Sequence, residues 1–326
     1  IYKQEEQAMD ELKQKIKEIF VNDLKIQGIK AEDIADDTPL FGEGLGLDSL
    51  DAVELVVLIQ KHFDVHIANI RFYDDEDLKL ILNVALLNDN GFKISKIAKM
   101  PLADMKSEVL KLTERSFAYD DQIHSLIITM VELDEERFEK IISTNILKIG
   151  FELTMLHIIY PFLSKIGILW QTGSIHPGQE HFISNLVRQK LIVAIDGQMY
   201  TGGGKKFLLF LPEGELHEIS LLFSCYLLKS SGHKVIYLGQ NTPDEDLNSV
   251  YEAHKPDYLV TVITTSPSGD EVQNYLNSLS ERFAASEILI SGYQIIGQDL
   301  DIPANVHVMQ YLKDIKDYLV SLTHVA

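Results

Sequence analysis

Cysteine and tryptophan are nearly absent from the sequence, because Cys225 and Trp170 are the sole examples among 326 residues. One cysteine excludes a disulfide within the chain and a metal site built from several thiolates, and its apolar neighbours predict a buried core position. Long apolar runs are also missing, since none reaches the ~18 residues of a membrane-spanning helix. No membrane partner is therefore expected, and a cytoplasmic location is predicted.

Positive charge is scarce relative to negative charge. The chain has 29 Lys and Arg residues against 49 Asp and Glu residues, a net charge of -20. Phosphate recognition needs clustered cations, and neither half of the sequence has such a cluster. The composition therefore argues against a nucleic-acid surface in the chain as given.

The first segment combines an amphipathic helix over residues 9–20 with the motif Gly-Leu-Asp-Ser-Leu at 46–50. Taken alone, Ser49 would be interpreted as a helix N-cap. The motif and the acidic helix after it resemble the modification site of acyl carrier proteins, and the resemblance covers residues 9–67. It implies that Ser49 carries a 4'-phosphopantetheine arm and that partner enzymes recognise Asp48, Asp51 and Glu54.

The middle segment, residues 69–103, has an Asp-rich helix start and two predicted helices over 78–88 and 94–100. This pattern is similar to the latter half of a MerR-type DNA-binding domain, without the preceding reading helix. A helical linker explains the pattern equally well. DNA is expected as a partner only if a complete MerR-like domain exists. The junction near Ala68 is open to three explanations: a natural boundary, a missing segment or a fusion.

The sequence pattern after residue 103 predicts two different architectures. Residues 104–200 contain four periodic helical segments, which indicate a four-helix bundle. Residues 201–326 alternate short apolar strands with helices, which indicates a doubly wound parallel sheet. The predicted helices are 123–133, 138–149, 153–168 and 178–191, and the predicted strands are 205–211, 234–238, 258–264, 288–291 and 306–310. The expected fold class is multidomain α and α/β, with a carrier-protein-like segment at 1–68.

A Glu-x-His pair, Glu215 and His217, follows the first predicted strand. One histidine in such a loop is more often a surface residue, but its surroundings resemble the cobalamin-binding domains of methionine synthases and corrinoid proteins, which have a Rossmann-like or flavodoxin-like fold. The resembling segments are Gly-His-Lys-Val-Ile-Tyr-Leu-Gly at 232–239 and Thr-Pro at 242–243. The resemblance implies that His217 binds cobalt from below, that Glu215 orients its ring, and that the hydroxyl of Thr261 meets the nucleotide tail. It also implies that Ser291 and Gly292, which match a Gly-Gly turn of the family, belong to the cofactor-binding site.

A second signal lies in the helical region, where Trp170 is followed by Glu180 and His181. Singly, these residues are ordinary core and surface positions. Together they resemble the cap of light-sensing cobalamin photoreceptors, a MerR-like subclass, and the resemblance covers residues 69–326. It implies that the three side chains cover the upper face of adenosylcobalamin or methylcobalamin.

The leading hypothesis is a cobalamin-binding sensory or transcriptional regulator, responsive to light or to the cofactor, acting as a homo-oligomer and not as an enzyme. Two alternatives stay open. A corrinoid methyl carrier would use the same His217, and an acyl carrier protein would depend on phosphopantetheine at Ser49.

Overall fold

The computed structural model describes most of the chain from residue 92 onward and parts of the segment before it. The described residues are 2–24, 26, 29–36, 38, 45, 55, 58, 62, 80, 82–84, 86–87, 90, 92–115, 118–171, 175–200, 202–269, 271–311 and 314–323. They divide into two compact units, residues 1–183 and 184–326. Within the described ranges no helix is both long and apolar enough to cross a bilayer.

The first unit begins with a helix that is longer than predicted. Helix α1 runs over Tyr2–Asn22, and a short 3-10 turn follows at Ala31–Asp33. A small apolar cluster holds this segment together. Its buried members are Ile19, Phe20, Ile34, Leu45 and Leu55. Ser49, Asp48, Asp51 and Glu54 lie outside the described residues.

The described residues of the middle segment are partly helical, and a longer helix begins at its end. Residues 80, 82–84 and 86–87 are helical, in agreement with the helix predicted over 78–88. The next two helices are α2 (Ile94–Ile97) and α3 (Leu102–Arg115). Residues 69–79, where the Asp-rich start was predicted, lie outside the described part of the chain.

All four helices predicted after residue 104 are present. They are α4 (Tyr119–Glu132), α5 (Glu135–Ile149), a helical run formed by α6 (Phe151–Thr154), a π-helical turn (Met155–Ile159) and α7 (Tyr160–Gln171), and then α8 (Pro177–Asp196). Helix α4 is buried continuously over residues 121–131, so it is the centre of the bundle. Asp134 begins α5 by accepting a hydrogen bond from the backbone N–H of Arg137 at 2.9 Å.

The second unit contains the predicted parallel sheet. Its strands are β1 (Lys206–Phe210), β2 (Lys234–Gly239), β3 (Tyr258–Val262), β4 (Glu287–Ser291) and β5 (Val306–Val308). The order β2-β1-β3-β4-β5 is parallel throughout. The connecting helices are α9 (Ile219–Ser230), α10 (Asp244–His254), α11 (Glu271–Arg282) and α12 (Asp314–Thr323). The predicted fold class is therefore confirmed.

Alternating strand residues supply two cores, one on each face of the sheet. Leu208 and Leu259 pack in one core with residues of α10 and α11. Phe207 and Val260 pack in the other, where α9 contributes the buried Cys225. Strand order reverses between β1 and β3, so the carboxyl ends of these two strands form the crevice where doubly wound folds bind ligands.

Position 292, directly after β4, requires glycine because another part of the backbone passes very close to it. Its φ is +114°, and a Cβ at this position would lie 2.2 Å from the carbonyl oxygen of Ile263. No side chain fits there without moving the end of β3. The glycine therefore fixes the spacing between the loops that follow β3 and β4.

We expect Gly292→Ala to lower the free energy of unfolding by about 3 kcal/mol or more, because it adds a backbone clash to an unfavourable φ. Gly297→Ala is the matched control, since Gly297 has a φ of +76° but nothing within 4 Å of the added Cβ. The control should lose only about 1–2 kcal/mol. Urea unfolding measures both values, and equal losses would show that the contact with Ile263 is unimportant.

Candidate functional site

The loop after β1 carries the candidate ligand and is fixed at both ends. Leu211 donates its backbone N–H to the carbonyl of Gly239 at 2.8 Å, and its own carbonyl accepts from the N–H of Thr242 at 3.0 Å. The other end runs into α9 at Ile219. The loop therefore lies at the carboxyl edge of the sheet, beside the switch point.

Glu215 is the central group of this loop. It is 0% exposed, and both carboxylate oxygens accept hydrogen bonds. Oε2 accepts from the backbone N–H groups of Thr264 at 2.7 Å and Thr265 at 2.6 Å, which follow β3. Oε1 accepts from the backbone N–H of Leu216 at 2.9 Å and of His217 at 3.0 Å. The carboxylate therefore joins the loops after β1 and β3.

Two opposed effects act on the pKa of Glu215. Burial raises it, but the hydrogen bonds from the His217 ring and from the backbone of Thr265, His217 and Thr264 outweigh burial and hold the pKa well below its ordinary value. The group is therefore a carboxylate that accepts hydrogen bonds at neutral pH.

His217 is oriented by this carboxylate. Its Nδ1 lies 2.6 Å from Oε1 of Glu215, and since the carboxylate can only accept, Nδ1 carries the proton and donates. The lone pair of the neutral ring is then on Nε2, the nitrogen that can bind a metal. The side chain is 58% exposed, in contrast to the buried glutamate. The predicted pair is thus brought together with the geometry of a metal-ligating histidine and its carboxylate partner.

Asn241, after β2, is a positioning residue that the sequence patterns did not single out. Its Oδ1 accepts from the N–H of Gly214 at 2.8 Å, and its own N–H donates to the carbonyl of Glu215 at 3.1 Å. Asparagine tolerates the left-handed backbone found here, with a φ of +52°. This preference of asparagine was the sequence feature that could have identified the residue.

Thr261 lies on β3, Ser291 is the last residue of β4, and Gly292 follows it. Thr261 is fully buried on β3, and within the described part of the chain its Oγ1 has no hydrogen-bond partner. A buried hydroxyl without a partner is costly, so it fits a site that receives a polar group from a ligand. Ser291 instead donates its hydroxyl to the carbonyl of Met309 at 2.8 Å. The predicted roles of the three residues in binding a cofactor stay predictions.

The side chains of this site suit a metal that its cofactor already coordinates at most positions. Among the described residues, no group of three or more His, Cys, Asp or Glu side chains could hold a metal ion. A single oriented imidazole is insufficient for a bare transition-metal ion, but it suits a cobalt already held by a corrin ring. His217, Glu215 and the unpartnered hydroxyl of Thr261 therefore fit cobalamin.

The predicted cap residues lie in the first unit. Trp170 is in the last turn of α7, and its side chain lies outside the described part of the structure. Glu180 and His181 are in the first turn of α8, where Nδ1 of His181 lies 3.2 Å from Oε2 of Glu180. The His181 side chain is 74% exposed. Their predicted roles above a cofactor stay predictions.

Two families of domains match parts of the chain. The family described as "B12 binding domain" matches residues 122–194, which are helices α4 to α8. The family described as "Phosphopantetheine attachment site" matches residues 14–83, a range that includes Ser49 and runs past the junction expected near Ala68. The predicted boundaries at 68, 103 and 200 stay predictions.

Individual relatives agree with the family matches. The chain is 26% identical over 220 residues to the HTH-type transcriptional repressor CarH of Myxococcus xanthus, covering 66% of this chain and 73% of the relative. It is 25% identical over 228 residues to the repressor CarA of the same organism, covering 69% and 74%. The resemblance inferred from the sequence, to a cobalamin-binding regulator with a carrier-like segment, is thereby confirmed.

The comparison with solved structures includes a protein of similar fold. The monomethylamine corrinoid protein of Methanosarcina barkeri matches with a TM-score of 0.50 and 14% identity, over 63% of this chain and 100% of that protein. At this identity the likeness shows the fold alone, which is the bundle and doubly wound architecture predicted from the sequence.

We expect Glu215→Gln to destabilise the second unit by about 1–3 kcal/mol at pH 7, because the amide replaces an acceptor that faces several N–H groups. A carboxylate with a depressed pKa stabilises the fold above its ordinary pKa of 4.5 and loses that contribution as the pH falls further. The difference between wild type and variant should therefore be constant from pH 7 to about pH 5 and shrink below it.

Urea unfolding across this pH range measures the effect. Glu213→Gln is the matched control, since Glu213 lies exposed in the same loop and its substitution should leave stability unchanged. A difference that grew on acidification would contradict the role assigned to Glu215.

Proposed function

We propose that this chain is a cobalamin-binding regulator in which His217 is the lower axial ligand to cobalt. The observation that carries the proposal is the 2.6 Å bond between Nδ1 of His217 and the buried carboxylate of Glu215. This bond selects the tautomer with the lone pair on Nε2 and increases the basicity of that nitrogen. The match to a B12 binding domain and the relatedness to two transcriptional repressors support the same conclusion.

The other predicted residues have separate roles in this proposal. The unpartnered hydroxyl of Thr261 receives a polar group of the nucleotide tail. Trp170, Glu180 and His181 cover the upper face of the cofactor. When bound, the cofactor supplies a cobalt–carbon bond that light can break.

Regulation follows from a difference in contacts between two states. If the cap residues contact the upper group only while it is attached, its loss changes the balance between conformations and oligomers of the chain. We propose this response to light or to the cofactor as the signal, with a regulatory rather than an enzymatic output. Binding to DNA belongs to the proposal only for a chain with a complete MerR-like domain.

The test is the visible absorption spectrum of the purified chain with adenosylcobalamin or methylcobalamin, in the dark and after green light. Wild type should retain cobalamin with a histidine-bound spectrum that light converts. His217→Ala should lose that spectrum and bind cobalamin roughly tenfold or more weakly, because the cobalt ligand is gone.

His254→Ala is the matched control, since His254 is an exposed histidine at the end of α10, in the same unit. It should behave as wild type. Retention of the same spectrum by His217→Ala would assign the ligand to another residue, and failure of wild type to retain cobalamin would refute the proposed function.

We also propose that Ser49 carries a phosphopantetheine arm, because the match to a phosphopantetheine attachment site spans it. Treatment with a phosphopantetheinyl transferase and coenzyme A should increase the mass of the chain by one such group, as measured by intact mass spectrometry. Ser49→Ala should remain unmodified, whereas Ser107→Ala, on α3, should be modified as wild type. An unmodified wild-type chain would leave this segment without a carrier role.

A further inference from the structure

Glu218, the residue after the candidate ligand, is a second buried carboxylate of the loop. Its side chain is 10% exposed, and its contacts differ from those of Glu215. Oε1 accepts a hydrogen bond from the Tyr237 hydroxyl on β2 at 2.9 Å, and Oε2 lies 2.8 Å from Nε of Arg188 on α8. The arginine contact is an ion pair that lacks the geometry of a hydrogen bond.

These contacts tie the loop to two elements other than β3. Tyr237 stays a donor, because burial and the Glu218 carboxylate raise the pKa of its hydroxyl far above the usual range. Arg188 compensates a carboxylate that would otherwise be buried with its charge unbalanced. A Cβ on Gly239 would approach Oε1 of Glu218 at 3.4 Å, so little space remains for the carboxylate to move in that direction.

We propose that Glu218 is a positioning residue for His217, which holds the ligand loop against α8 through Arg188 and against β2 through Tyr237. This inference rests on the proposed function of His217 as the cobalt ligand. His217 is therefore held from two sides, by Glu215 through its ring and by Glu218 through the adjoining backbone. A ligand held in this way keeps its nitrogen at the cobalt with less loss of conformational freedom on binding.

The ion pair between Arg188 and Glu218 also connects the His217 loop to α8. Arg188 lies in the same helix as Glu180 and His181, two turns nearer its end. A displacement of α8 at Arg188 would release one of the two restraints on the His217 loop.

The experiment measures the ratio of histidine-bound to histidine-free cobalamin in the intact chain at fixed pH. The readouts are the absorption spectrum and the nitrogen splitting in the electron paramagnetic resonance spectrum of the cobalt(II) form. Arg188→Ala and Glu218→Gln should each lower the ratio roughly tenfold, the usual effect of losing a partner that orients a metal ligand. Arg188→Lys, which keeps the charge, should restore part of it.

Arg282→Ala is the matched control, because Arg282 forms an ion pair of the same length, 2.8 Å, with Asp244 in the same unit, and neither residue belongs to the ligand loop. It should leave the ratio as in wild type even if it lowers stability. Tyr237→Phe, a milder change, keeps the test usable if Arg188→Ala fails to fold, and it should lower the ratio by a smaller factor.

The possible failures are distinguishable. If wild type shows the histidine-bound signature and His217→Ala loses it, while the Arg188, Glu218 and Tyr237 variants all keep the wild-type ratio, the positioning role is refuted and the proposed function stands. If wild type shows no histidine-bound signature at all, both are refuted.

Discussion

The buried carboxylate of Glu215 is the interaction on which the arrangement of this site depends. A charge without exposure to water is expensive unless hydrogen bonds replace its hydration. Here the N–H groups of Thr264 and Thr265 and the ring of His217 provide them. Since these donors belong to loops after different strands, satisfying the charge requires the loops to meet. The hydrogen bonds that stabilise the buried charge therefore also fix the position of the His217 imidazole.

Further anchors complete the restraint on that imidazole. Asn241 binds the backbone of Gly214 and Glu215, and Glu218 binds Tyr237 and pairs with Arg188. The loop is therefore connected to β2, β3 and α8 without any regular secondary structure of its own. A site held in this way is ordered before a ligand arrives, and such preorganisation favours tight and specific binding.

The sequence predicted the elements well because the strands are short apolar runs and the bundle helices are periodic. The Glu215 and His217 pair was also predictable, since the resemblance that singled it out is carried by short sequence segments, in the loop itself and at 232–239 and 242–243. The other residues that hold the loop in place were not predictable from the sequence. Thr264 and Thr265 bind the carboxylate mainly through backbone N–H groups, which every residue except proline has, and the Thr265 hydroxyl adds longer contacts at 3.3 Å. The pairing of Arg188 with Glu218 joins positions that only the folded chain brings together. Gly292 was predicted as part of a turn, but its requirement comes from the backbone of Ile263.

The small number of metal ligands that the protein offers bears on how the site could select what it binds. Structural metal sites in proteins surround the ion with about four donors, and their geometry selects the metal. In the part of the chain that the structure describes, the loop offers one imidazole, and its carboxylate neighbour is occupied by hydrogen bonds. Such a site has little means of retaining a bare ion. Under the proposed function, selection would act on the whole cofactor, because a corrin ring already holds the cobalt and His217 would add one ligand to it.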